Sequence, residues 1–128
     1  MDDNRENLLV ILAGYSDDME DFLDINPGLR SRFANIIEFE DYSVKDLMTI
    51  SDNLYKDKGY ILTDNAKLKM EEIFINACKS YDFGNGRYVR NLFEKSIRNQ
   101  ARRLSEIENL TKNHLITIEE CDLYKANL

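Results

Sequence analysis

Proline, histidine, cysteine and tryptophan are nearly absent from this sequence: of 128 residues one is proline, one histidine, two cysteine and none tryptophan. With a single proline and 43% hydrophobic residues, a disordered chain is excluded; the length suits one core, or part of a domain joined to a small one. Cys78 and Cys121 form no C-x-x-C pair and have no histidine at ligand spacing, so a zinc site or disulfide framework is excluded and both read as buried or incidental thiols. Long hydrophobic runs are missing as well. The longest, Leu8 to Gly14, falls far short of the roughly 20 residues of a membrane span, and the acidic amino-terminal residues do not read as a secretory signal. The sequence therefore predicts a soluble, cytoplasmic protein with no membrane partner.

Basic residues are also in deficit, 17 against 24 acids for a net charge of −7, which disfavours a general nucleic-acid binder. The deficit is uneven. Residues 1–24 hold eight acids and one arginine, whereas residues 87–103 hold six basic residues opposed by Glu94 alone. One end repels anions and another attracts them. No G-x-S-x-G or Cys/His pairing marks a nucleophile, and Asp17, Asp18, Glu20, Asp21 and Asp24 lack the spacing of a calcium loop. The sole histidine, His114, falls in a polar stretch that reads as an exposed loop.

What is present is one strand pattern followed by helices. Leu8 to Gly14 is continuously apolar and suits a strand covered on both faces in a parallel sheet; unpaired, it is an association hazard, expected to pair with a second copy or with Ile36 to Phe39. Ser16 to Ile25 reads as an acidic helix with Ser16 as N-cap and Met19, Phe22 and Leu23 on one face, ended by Asn26, Pro27 and Gly28. Ile36 to Phe39 alternates like a short strand, and a few residues around Ile116 do so weakly. From Ser43 the pattern is helical. Ser43 to Asp46 is a capping box, with Leu47, Ile50 and Leu54 at helical spacing and Gly59 as the stop. Thr63 caps a helix carrying Ala66, Met70, Ile73 and Ala77. A helix from about Arg87 to Ile107 turns Val89, Phe93, Ile97, Ala101 and Leu104 inward, and a capping box from Thr117 to Glu120 opens a last short helix through Tyr124.

Three arginine groups can carry chemistry. Residues 26–33, Asn-Pro-Gly-Leu-Arg-Ser-Arg-Phe, place Arg30 and Arg32 in a short loop after a Pro-Gly turn. Such guanidinium groups can fork onto phosphate oxygens, or simply pair with surrounding acids, and residue types alone prefer the plainer reading. Residues 83–91, opening on a glycine-bearing turn, feed Arg87 and Arg90 into the first turn of a long helix, where cations oppose the helix dipole unless an anion joins the exposed N–H groups; pairing of Arg87 with Asp82 or another nearby acid is the equal alternative. Arg98, Arg102 and Arg103 with Lys95 read as a solvated basic face; nucleic-acid binding is the weaker alternative, since only three or four charges are involved and no exposed aromatics are interleaved.

The order of these pieces resembles the second half of an AAA+ module of the stage V sporulation protein K and CbbX family. The likeness rests on Val10-Ile-Leu-Ala-Gly-Tyr15, on Asn26-Pro-Gly-Leu-Arg-Ser-Arg-Phe33 with Ile36 to Phe39, and on Phe83-Gly-Asn-Gly-Arg-Tyr-Val-Arg-Asn-Leu-Phe-Glu94. It implies a mainly α fold with a small α/β remnant: the end of an AAA+ α/β subdomain over residues 1–41, then a helical lid bundle of about four helices over residues 42–128. It implies Arg32 as arginine finger toward the ATP of a neighbouring subunit, with Arg30 as companion or alternate, and Arg87 as the sensor 2 arginine, with Arg90 a weaker member of that cluster. Tyr15 stands at the sensor 1 position, where a tyrosine in place of the family's frequent asparagine or threonine argues against direct polarisation of water.

The sequence departs from the family in having no G-x-x-x-x-G-K-[ST] loop, no strand ending in Asp-Glu for magnesium, and no pore loop. The expectation is a carboxyl-terminal fragment of an ATP-driven hexameric protein remodeller, using ATP and magnesium at full length, with no cofactor for this chain alone and no activity of its own. Three partner readings go with it: self-association, including a strand-mediated dimer of the fragment, an unidentified protein substrate, and no nucleic acid. A stand-alone helical interaction module without ATPase activity is the alternative.

Overall fold

Residues 7–124 are described by a computed structural model, in which the chain divides into two compact units, one up to Glu40 and one from Asp41 on. Among the described residues the fold is helical, with a two-stranded parallel ladder. No described helix is long and apolar enough to cross a membrane.

The first unit contains α1, Ser16–Ile25, and α2, Pro27–Arg32. The helix α1 begins a residue earlier than its sequence signal: Tyr15 is the N-cap, in extended conformation, and Ser16 is already helical. Of the expected face, Leu23 is buried and Phe22 stays largely exposed. The break after α1 is a helix start rather than a loop. Asn26 Oδ1 accepts the Gly28 N–H at 2.9 Å and Pro27 occupies the first helical turn, where its missing N–H costs nothing, so both arginines sit on a helix. Neither expected strand forms. Leu8 to Gly14 and Ile36 to Phe39 run without ladder hydrogen bonds and do not pair with each other, leaving Leu9 84% and Phe39 91% exposed. A strand exists only through its neighbours, and the sheet that these apolar runs call for is not among the described residues.

The second unit is built on α3, Val44–Asp57, α4, Asp64–Ala77, and α5, Gly86–Leu104. Ser43 and Asp46 close a reciprocal capping box at the start of α3. At its end Gly59, with φ +82°, lets Tyr60 N–H reach the Tyr55 carbonyl at 2.8 Å and its own N–H reach Lys56 at 3.0 Å, the two bonds of a Schellman stop. Thr63 caps α4 through Ala66 N–H. Short pieces complete the unit: β1, Ile61–Leu62; α6, Lys112–Ile116; β2, Thr117–Ile118; and α7, Glu120–Leu123. The strands pair in parallel, Ile61 with Thr117 and Leu62 with Ile118, which obliges the chain to cross over through α4, α5 and α6 between them.

The core gathers Leu47, Tyr55, Leu62, Ala66, Met70, Phe74, Val89, Leu92, Phe93, Ile118 and Leu123. Each large member contributes about 1.5 to 3 kcal/mol by leaving water. The buried face of α5 is rotated from the purely apolar expectation. Ala101 is exposed, and Ser96 and Gln100 are inside because both find partners. Ser96 Oγ donates to the Phe93 carbonyl at 2.7 Å, so the Tyr55 hydroxyl donates to Ser96 Oγ, also at 2.7 Å. Gln100 Nε2 faces the carbonyls of His114, Leu115 and Thr117 at 3.3, 3.1 and 2.8 Å, fastening α6 and β2 to α5.

The expected polar loop around His114 is instead α6, where the half-buried imidazole Nδ1 accepts Thr111 N–H at 3.1 Å. The last cap also moves: Thr117 Oγ1 donates back to the Asn113 carbonyl, and Asp122 accepts the Glu119 N–H at 2.9 Å to start α7. Cys78 is half-buried and Cys121 exposed, both as free thiols.

Arg103, expected on a solvated face, forks its Nε and Nη2 onto the two carboxylate oxygens of Asp122, each at 2.9 Å, and Asp122 is 1% exposed. Removing Arg103 strands a buried carboxylate. Arg103→Ala is expected to cost about 3 kcal/mol in urea unfolding, the low end for a broken buried pair because Arg103 keeps 23% exposure. Arg103→Leu with Asp122→Asn, which removes both charges and keeps an acceptor for Glu119 N–H, should recover part of that loss. Recovery of none would show that the charge pair is not the cause.

Burial pushes the Tyr55 phenol up to about 12, from 10 in an unfolded chain. Between those values the unfolded state has lost the proton and the folded state keeps it, so stability falls as pH rises, by about 1.4 kcal/mol per pH unit for this group. Tyr55→Phe should remove that slope between pH 10 and 12. An unchanged alkaline limb in the variant would contradict it.

Candidate functional site

In the first unit, Arg30 and Arg32 lie two residues apart on α2, and their surroundings differ. Arg30 is drawn into an acidic cluster: Nη2 meets Glu20 Oε2 and Asp24 Oδ1 at 2.7 Å each, and Nε meets Asp24 Oδ1 at 3.1 Å. Hydrogen bonding to Glu20, then Asp24, raises its affinity for its proton further. All three side chains are solvent-accessible, so the cluster fixes geometry more than it adds stability. Two of the acids that read as a solvated face, Glu20 and Asp24, thus have a task, tying α2 back onto α1. Arg32 is exposed, with Nη1 3.4 Å from the Gly28 carbonyl, one turn back on α2. Tyr15 is 66% exposed, and its backbone carbonyl accepts the Met19 N–H at 2.9 Å as α1 begins. It therefore stands at the join between an extended segment and a helix, without the strand that was expected to end there.

In the second unit the turn of residues 83–87 launches α5. Gly84 has φ +90°, and Asn85 has φ 50° and ψ −118°, the first central position of a type II′ turn closed by Arg87 N–H to the Gly84 carbonyl at 3.0 Å. A non-glycine residue there carries strain of about 1 to 3 kcal/mol, so the surroundings must hold it. Asn85 is half-buried and is the only non-glycine residue with positive φ among those described. Arg87 and Arg90 are both exposed, one turn apart at the start of a 19-residue helix that has no acid in its first turn. Neither forms an ion pair with a described residue, so the equal alternative, Arg87 bound to Asp82, does not occur. A pair of guanidinium groups beside the positive end of a helix dipole concentrates positive charge where an anion is favoured.

The basic face further along α5 is depleted by comparison. Arg103 is turned into its ion pair with Asp122, and Arg98 lies 3.8 Å from Glu94 one turn earlier. Two contributions escaped the sequence pattern. Asp122 carries no local mark of burial, and its only signal is the spacing from Glu119 that makes a cap. The glycine, asparagine, glycine run at 84–86 signalled a turn, but not that the asparagine side chain has long-range partners.

A family model described as the AAA lid domain matches residues 43–127. Stage V sporulation protein K of Bacillus subtilis (strain 168) is 42% identical over 126 residues, which is 96% of this chain and 39% of that protein. Protein CbbX of Cereibacter sphaeroides is 40% identical over 104 residues, 81% of this chain and 34% of that protein. The chloroplastic ribulose bisphosphate carboxylase/oxygenase activase of Cyanidioschyzon merolae (strain NIES-3377 / 10D) is 34% identical over 130 residues, 100% of this chain and 44% of that protein. The chain spans less than half the length of each of these relatives.

Proposed function

Because the chain belongs to the AAA lid domain family through residues 43–127, we propose that it supplies the lid and the phosphate-directed arginines of an AAA+ ATPase that couples ATP hydrolysis to the remodelling of another protein. The observation that carries this reading is Arg87, exposed in the first turn of α5 and without an acidic partner among the described residues, on the unit that matches the lid family. In the proposal Arg87, with Arg90 beside it, meets the phosphates of ATP bound in its own subunit, and the helical unit moves with them. Residues 1–41 then stand as the end of the α/β subdomain.

Arg32 is proposed as the finger that reaches ATP in a neighbouring subunit and stabilises charge on the transferring phosphoryl group. Arg30, held by Glu20 and Asp24, suits the companion role: it fixes the helix on which Arg32 is carried. Such a division needs a ring of subunits, so self-association is part of the proposal. Tyr15 is proposed near the sensor 1 position as a contact rather than a group that polarises water. Magnesium accompanies ATP, but the described residues offer no cluster of three histidine, cysteine, aspartate or glutamate side chains for a metal, and no step is assigned through it.

In the assembled ATPase, Arg32→Ala is expected to leave ATP binding within about twofold and to lower turnover by about three to five orders of magnitude. Normal turnover in that variant would refute the finger assignment. Arg87→Ala is expected to weaken ATP binding in its own subunit. Mixing the two variants should restore part of the activity, since some neighbouring pairs then combine an intact Arg32 with an intact Arg87. A mixture no more active than its components would mean that the two arginines do not serve one site from opposite sides.

A further inference from the structure

We propose that Asn85 is a positioning residue that fastens the arginine turn of α5 to the place where the chain enters the helical unit; the functional part of this inference rests on the reading of Arg87 given above. The Asn85 side chain spans 43 and 44 residues of sequence with both ends of its amide. Its Oδ1 accepts the Tyr42 N–H at 2.8 Å, and its Nδ2 donates to Asp41 Oδ1 at 2.8 Å. Asp41 is the first residue of the helical unit, and Tyr42 directly precedes Ser43, the N-cap of α3. The next amide, Ser43 N–H, is held by Asp46 Oδ2 at 3.1 Å. Two successive amides at the entrance are therefore fixed by side chains, one from α3 itself and one from the turn that carries Arg87.

Three demands meet at position 85, and among the twenty residues asparagine suits them together. The II′ conformation favours glycine, asparagine or aspartate. Glycine has no side chain to reach the entrance. Aspartate can accept from Tyr42 but cannot donate, and it would set its charge against Asp41. The staple and Arg87 are two residues apart on one closed turn, with Arg87 N–H bonded to Gly84 and Val89 N–H bonded to the Asn85 carbonyl at 3.3 Å. A displacement of the turn when phosphate engages Arg87 thus carries Asn85 with it, and with Asn85 the backbone at Asp41 and Tyr42. The entrance to the helical unit follows the arginine directly, without waiting for the core to rearrange.

The experiment has two arms. In the 128-residue chain, amide hydrogen exchange at Tyr42 is expected to rise at least about tenfold in Asn85→Gly, which relieves the backbone and deletes the side chain, and in Asn85→Asp, while Leu92 and Phe93 keep their protection. Adding Asp41→Asn to Asn85→Asp reverses donor and acceptor, and should return Tyr42 to within about threefold of the original rate. Unchanged exchange in Asn85→Gly, or no rescue by the exchanged pair, overturns the staple. In the assembled ATPase, Asn85→Asp should cut turnover about tenfold with ATP affinity within about twofold, again rescued by Asp41→Asn. Normal turnover in Asn85→Asp, when Arg87→Ala is defective, overturns the coupling alone. Normal ATP binding and turnover in Arg87→Ala overturns the reading beneath it.

Discussion

The helical unit depends on one buried ion pair. Arg103 stands near the end of α5 and Asp122 in the last short helix, and their forked contact fixes the closing segment on the longest helix. Taking the carboxylate of Asp122 out of water is costly, and the pair persists because three donors meet it: two guanidinium N–H groups of Arg103 and the Glu119 N–H. With α7 held, Ile118 can pair beside Leu62, and Gln100 can gather the carbonyls that end α6. Apolar burial supplies most of the stabilisation, whereas the polar contacts decide which arrangement of short pieces is adopted.

The same helix is restrained at its start. Asn85 holds the turn before α5 in a conformation that its backbone alone would avoid, and Asp122 holds the other end through Arg103. Between these anchors α5 packs on α3 through Tyr55, Ser96 and Phe93, so it behaves as a beam rather than as a helix free to rotate. The proposed work of Arg87 needs such a beam, because an arginine on a loose helix would absorb a displacement instead of passing it on.

Legibility in the sequence followed the range of the interactions. Local signals were read correctly: the capping box of Ser43 and Asp46, the Gly59 stop, the Thr63 cap, and the three long helices from their apolar spacing. Contacts between distant residues were not legible, since nothing local marks Arg103 as the partner of Asp122, Gln100 as a core residue, or Asn85 as a staple. Apolar content misled in the first unit, where Leu8 to Gly14 has a strand's composition but no ladder to join among the described residues. Pro27 and Gly28 read as a turn in the sequence, whereas Asn26 and Pro27 start a helix; proline in the first turn with asparagine before it fits both, and only the following hydrogen bonds distinguish them. Of the candidate residues, Arg87 and Arg90 share one turn of α5, and Arg30 and Arg32 share α2, while the role proposed for each rests on resemblance rather than on local pattern.

The parallel ladder has a consequence for synthesis on the ribosome. Leu62 meets Ile118 only after 55 intervening residues have been laid down, and Leu123 follows later still. A nascent chain can form α3, α4 and α5 one by one as they emerge, but their shared apolar interior stays open to water until residues 118–123 arrive. Completion of this unit is thus timed by residues 118–123, which act as a latch: polypeptides interrupted before them would display the apolar faces of α4 and α5 on which α7 packs to the quality-control machinery of the cell.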